Sequence, residues 1–137
     1  MSKLDEARAF FARDRFATKA TGIEIDEIGE NHAKCSLKLT ENHLNAVDHV
    51  MGGVAYTLAD FVFAVSTNFE KPPTVTTVSQ ISYLSAPKGN ILYGESKCLK
   101  DGKRSCFYEI TITDNLGTKV AVVMTNGAHL GCNRFNP

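Results

Sequence analysis

The spacing of apolar residues shifts several times along the chain, and each shift marks a new element. Leu4, Ala7, Phe11 and Ala12 recur at helical spacings behind Ser2, a candidate N-cap, which predicts a helix from Ser2 to about Thr18. From Gly22 to Leu39 the period falls to two. Ile23, Ile25 and Ile28 lead to Glu30-Asn31, after which Ala33, Cys35, Leu37 and Leu39 alternate with polar residues, so a strand pair is expected. Thr40 to Val50 is polar and reads as a loop. Gly52 to Asn68 is apolar on nearly every side, as a buried helix would be, and Lys71-Pro72-Pro73 stops anything helical.

The remainder reads as strands. Thr74 to Leu84 is rich in Thr, Val and Ile, and Pro87-Lys88-Gly89-Asn90 turns the chain. Ile91–Lys100 and Lys103–Thr113 form a hairpin about Asp101-Gly102, and Asp114-Asn115-Leu116-Gly117 precedes a last strand from Lys119 to His129. A two-residue turn at Asp101-Gly102 would set Cys98 opposite Ser105 and put Cys106 on the other face. The expected architecture is a single α+β domain over residues 1–137, with a long curved antiparallel sheet wrapping the apolar helix. Residues 1–20 supply the N-terminal helix, 21–131 the core and 132–137 a tail.

One carboxylate, Asp60, interrupts the apolar helix. No Lys or Arg stands at i±3 or i±4 to pair with it, so it is either a satisfied structural group or an acid/base in a pocket. Gly52-Gly53 at the helix start either eases close packing or presents N–H groups to a developing negative charge. An anion-stabilising helix end and a lone carboxylate are the working parts of an acyl-transfer site.

Composition narrows the field. Lys plus Arg and Asp plus Glu number 15 each, so no net positive field draws in nucleic acid or an anionic membrane. No apolar run reaches the roughly 18 residues of a membrane span, and the N-terminus lacks a secretory layout. The four cysteines show neither paired nor metal-ligand spacing, and the four histidines form no ligand set. A cytoplasmic protein with free thiols and no metal is expected.

The arrangement resembles the hotdog fold. Asn45 to Asp60, Ile81-Ser-Tyr-Leu-Ser-Ala-Pro87 and Lys100-Asp-Gly-Lys-Arg104 are similar to the acyl-CoA thioesterase branch of that fold, nearest its phenylacetyl-CoA thioesterase-like group. In that family a loop Asn precedes a His-Gly-Gly helix start by six positions, and an Asp follows two turns into the helix. Asn45, Gly52, Gly53 and Asp60 hold those places, while Met51 stands where the family has its His. The resemblance implies thioester hydrolysis without a cofactor. The Gly53 N–H would hold the oxyanion, Asp60 would act as base or nucleophile, and Asn45 would position water or carbonyl. Thr76, with Thr77 as the alternative register, would orient the Asp or the water, and Met51 and Gly52 would wall the substrate site. A plain turn role for Asn45 and a solvated His49 are the alternatives. Hotdog domains also occur as hydratases and dehydratases of acyl thioesters, which use a His with an Asp or Glu where Met51 removes the obvious His, and as non-catalytic acyl-CoA sensors, which usually need an output domain.

Geometry adds a constraint of its own. Gly53 and Asp60 lie two helical turns apart, about 10.5 Å along the axis, beyond the reach of a short Asp side chain. A shared site therefore requires Asp60 from a second, antiparallel subunit, which predicts a homodimer or a dimer of dimers. Coenzyme A, a multiply charged anion, calls for local basic residues. Lys103 and Arg104 at the hairpin turn are the candidates, with Lys100 and Lys88 nearby, although a solvated hairpin tip carries the same charges.

Overall fold

The structure, a computed structural model, describes residues 1–131. The elements run α1 (Lys3–Phe11), β1 (Ile23–Gly29), β2 (His32–Lys38), α2 (Gly52–Asn68), β3 (Thr74–Tyr83), β4 (Ile91–Asp101), β5 (Ser105–Asp114) and β6 (Lys119–His129). The six strands form one antiparallel sheet in the order β1-β2-β4-β5-β6-β3. This is the α+β hotdog arrangement. The strand that follows the helix lies at the far edge and pairs with the last strand made, so the sheet closes around α2.

Two strand glycines let the helix sit deep in that trough. A Cβ on Gly94 would lie 3.0 Å from Val62 and 3.1 Å from Leu58, and one on Gly127 would lie 2.7 Å from Phe63. Leu58, Phe61, Val62 and Phe63 of α2 are buried against Leu37, Leu92, Ile110, Ile112 and Val123 of the sheet. At about 25 cal/mol per Å2 of apolar surface, this interior dominates the stability. The helix is not covered all round, however. Gly53, Tyr56, Thr57, Asp60 and Ala64 form a stripe that the protomer leaves partly open.

α1 is shorter than its apolar spacing suggests. Ser2 caps it through the Asp5 N–H and the Asp5 carboxylate answers at the Ser2 N–H, but the helix ends at Phe11. A single π-helical turn, Phe16–Ala20, follows and is closed by Thr21 N–H donating to the Phe16 carbonyl at 2.9 Å. The loop before α2 holds a 3-10 turn at Glu41–His43. His43 is buried there as a structural residue. The Thr40 N–H donates to its Nδ1, so Nε2 carries the proton and donates to the Thr21 carbonyl at 2.8 Å.

The β4–β5 hairpin departs from expectation. A bulge at Leu99 adds a residue, so Cys98 faces Tyr108, Asp101 faces Cys106, and the turn falls at Lys103-Arg104. Cys98 and Cys106 therefore share a face. Both are free thiols, as is Cys35, and burial pushes the Cys35 and Cys106 thiols up. Cys132 and the tail lie outside the described residues.

Candidate active site

The site begins with the cap of α2. Met51 occupies the N-cap position, where Ser, Thr, Asp or Asn would normally supply an oxygen. Its sulfur takes that role and accepts from the Gly53 N–H at 3.0 Å. The Gly-Gly pair makes two close contacts possible. A Cβ on Gly53 would lie 2.9 Å from the Met51 sulfur, and one on Gly52 would lie 2.8 Å from the Tyr83 hydroxyl. That hydroxyl donates to the Gly52 carbonyl at 2.8 Å and ties the last residue of β3 to the helix start.

Asn45 organises the approach to this helix end. Its Oδ1 accepts from the N–H groups of Val47 and His49, at 3.0 and 3.1 Å, and its backbone N–H donates to the His49 carbonyl. Asp48 takes a left-handed backbone conformation within that loop, with φ +60°. The result is a cleft of about 250 Å3 bordered by Asn45, His49, Met51, Gly52, Tyr83 and Pro87. Tyr83 belongs to the Ile81–Pro87 stretch, and its contact with the helix start depends on tertiary packing that the sequence pattern does not encode.

Asp60 lies along the open stripe instead. Gly53, Tyr56, Thr57, Asp60, Ser79 and Phe16 line a second, more open groove of about 450 Å3. Desolvation there, and then the charge of Asp14, push the Asp60 carboxyl above the ordinary carboxylate range, although the residue still reaches solvent. α2 runs unbroken from Gly52 to Asn68, so Gly53 and Asp60 stay about 10.5 Å apart along its axis.

The other candidates are spread along the molecule. Thr76 is exposed on β3 opposite Gly127, just before a bulge at Thr77, whose hydroxyl donates to the Asn126 carbonyl at 3.1 Å. Lys103 and Arg104 are exposed at the hairpin tip. The Arg104 carbonyl accepts from the His129 N–H, and His129 joins Thr74, whose N–H donates to Asn68 at the C-terminal end of α2. They therefore stand a helix length, about 22 Å, from the Gly53 end of their own chain. Lys88 follows Ala86 and Pro87, which wall the Met51 cleft. Among the described residues no group of three or more His, Cys, Asp and Glu is arranged to hold a metal. None of their helices is long and apolar enough to cross a membrane.

A six-stranded antiparallel sheet wrapped about one buried helix is the hotdog arrangement, and here that helix starts with the Gly53 N–H capped by Met51 and carries a carboxylate, Asp60, whose pKa is raised. Residues 47–121 match the model of the thioesterase superfamily, more than half of the chain, and the chain belongs to that family. It is 28% identical over 126 residues to the acyl-coenzyme A thioesterase PaaI of Escherichia coli, covering 91% of this chain and 89% of that protein. The structure of E. coli PaaI, from its phenylacetic acid degradation operon, superimposes with a TM-score of 0.83 at 25% identity, covering 95% and 97% of the two chains. A relative in Archaeoglobus fulgidus is 27% identical over 99 residues, and the match spans 72% of this chain and 64% of that one. A hypothetical thioesterase protein of Streptococcus pneumoniae, solved with coenzyme A, shares the fold with a TM-score of 0.78 at 23% identity, covering 86% and 94%. The fold is thus that of the PaaI-like hotdog thioesterases, and the chain is an enzyme of that class.

Proposed function

We propose that this protein hydrolyses acyl-CoA thioesters to the free acid and coenzyme A, with no metal or cofactor, at a site shared between two subunits. The observation that carries this reading is the open stripe of α2. It leaves Gly53 and Asp60 accessible in one groove, too far apart to serve one carbonyl from one chain. An antiparallel second helix would set Gly53 of one protomer against Asp60 of the partner subunit, which gives two equivalent sites about a two-fold axis.

The chemistry follows from these parts. The thioester oxygen accepts from the Gly53 N–H, and the helix dipole adds to the stabilisation as negative charge grows there. Asp60 of the partner subunit takes a proton from water while the water oxygen bonds the carbonyl carbon. The tetrahedral oxyanion then collapses, the C–S bond breaks, and the leaving thiolate recovers the proton. Direct attack by the carboxylate, giving an anhydride that water then cleaves, uses the same groups. The raised pKa of Asp60 makes it a stronger base than a solvated aspartate once ionised. Asn45 spends its Oδ1 on the loop and has its amide nitrogen to offer to a carbonyl or water. Thr76 is the better of the two threonines, since Thr77 already donates to backbone. Lys103 and Arg104 of one chain, and Lys88 of the other, suit the phosphates of coenzyme A in the shared arrangement.

Binding of acyl-CoA without turnover is a second reading, favoured by the Met51 sulfur on the Gly53 N–H. A hydrolysis screen over acyl-CoAs of varied length and aromaticity, run without added metal, decides between the two. Turnover that is abolished by Asp60→Asn supports hydrolysis, whereas tight binding with no turnover supports the second reading.

A further inference from the structure

We propose that Met51 is a gate on the oxyanion N–H, a thioether cap that must turn aside before a thioester carbonyl can bind. This rests on the hydrolytic role of Gly53 proposed above. The Gly53 N–H has a single hydrogen, and the Met51 sulfur accepts it at 3.0 Å. A substrate oxygen must occupy the same space, so cap and carbonyl exclude one another.

Three properties of the contact make it a gate and not a plug. The acceptor is soft and weak compared with the oxygen of a usual N-cap residue. The side chain is unbranched and 51% exposed, so it can leave by rotating about its own bonds without moving the backbone. The seat is this close because residue 53 is glycine, since a Cβ there would lie 2.9 Å from the sulfur and 3.2 Å from its methyl group and would push the thioether aside.

The cap acts unequally along the reaction. The sulfur competes only with binding: a bound carbonyl takes the one Gly53 hydrogen and holds the thioether aside through the chemical step, where the oxyanion makes a stronger, charge-assisted bond. The gate therefore weakens substrate binding by the fraction of time it is closed and leaves the saturated enzyme untouched. Met51 is a positioning residue by this account, and its signature is a KM effect without a kcat effect.

The test pairs a structural readout with a kinetic one. Met51→Leu keeps the bulk of the wall and removes the acceptor, so it alone carries the kinetic test, and Met51→Ala, which removes both, is read by amide exchange only. Amide exchange at Gly53 in 15N-labelled protein should quicken several-fold in both variants. KM for the acyl-CoA that the wild type cleaves best should fall about 2- to 10-fold, the range spanned by one net hydrogen bond, with kcat within about twofold. Unchanged exchange at Gly53 in a protein that turns over acyl-CoA overturns the gate alone. Faster exchange with an unchanged or higher KM also overturns it. A wild type that hydrolyses no acyl-CoA removes the hydrolytic reading and the gate together.

Discussion

Asp60 meets two opposing demands at one atom group. Desolvation in the groove, then the nearby Asp14, raise its pKa, so the folded protein holds its proton more tightly than the unfolded chain does. The stability this group contributes is present below the ordinary aspartate value of about 3.9 and is lost as pH rises through the raised value. At neutral pH the charge works against the fold and for the chemistry. Asp60→Asn should therefore lower turnover by about 10²- to 10⁴-fold without lowering the melting midpoint at pH 7, because the charge it removes is partly desolvated and unpaired by any basic side chain on its helix. Paired kinetics and calorimetry would show it, and a variant both inactive and destabilised would contradict it. The rate should climb with pH through the raised pKa, and Asp14→Asn should move that limb to lower pH. At this scale the sequence singles out Asp60 as an isolated carboxylate in an apolar helix, and the structure sets it in an open groove with its carboxyl raised. The sequence is silent on the Met51 cap, because a thioether reaching back to a backbone N–H depends on side-chain torsions that no spacing rule encodes.

Among the elements, the turn between β5 and β6 is tied to the chain before β4 by two neighbouring side chains, Asp114 and Asn115. Asp114 is buried, which alone would push its carboxyl up, but N–H groups of Lys88, Gly89, Leu116 and Thr118 donate to it at 2.7 to 2.9 Å. They hold it well below the ordinary range. Its contribution is present above about pH 3.9 and is lost as pH falls toward the lowered value. Asp114→Ala should cost about 3 kcal/mol at pH 7, with a smaller penalty in acid, as measured by denaturant unfolding at several pH values. It should also loosen the Pro87 wall of the Met51 cleft. The limits of α2 were legible from Gly52-Gly53 and Lys71-Pro72-Pro73, which start and stop a helix by local sterics. The hairpin turn was not, because Asp101-Gly102 has the composition of a tight turn while the bulge at Leu99 shifts the register. The stop of α1 at Phe11 was missed for a similar reason, since its apolar spacing continues into residues that form a π-helical turn instead.

For the whole molecule, the decisive question is whether each site draws on two chains. Asp60→Asn and Gly53→Pro, which removes the N–H, should each be inactive alone. Heterodimers of the two would hold one doubly damaged site and one intact site, so about half of wild-type activity per heterodimer should return. Folded heterodimers with no activity would place the carboxylate's role within its own chain or nowhere. The edge position of β3 also governs how the protein comes into being. Thr74 opens that strand and its partner His129 lies 55 residues further on, so β3 leaves the ribosome long before β6 exists to receive it. During that interval both of its edges are unpaired, and β6 later covers one of them. A nascent chain stopped before Lys119 would carry the finished helix with its cover still open on that side. The stage at which this strand offers both edges to a neighbouring chain is therefore the protein's own synthesis, and pairing with β6 ends it on one side.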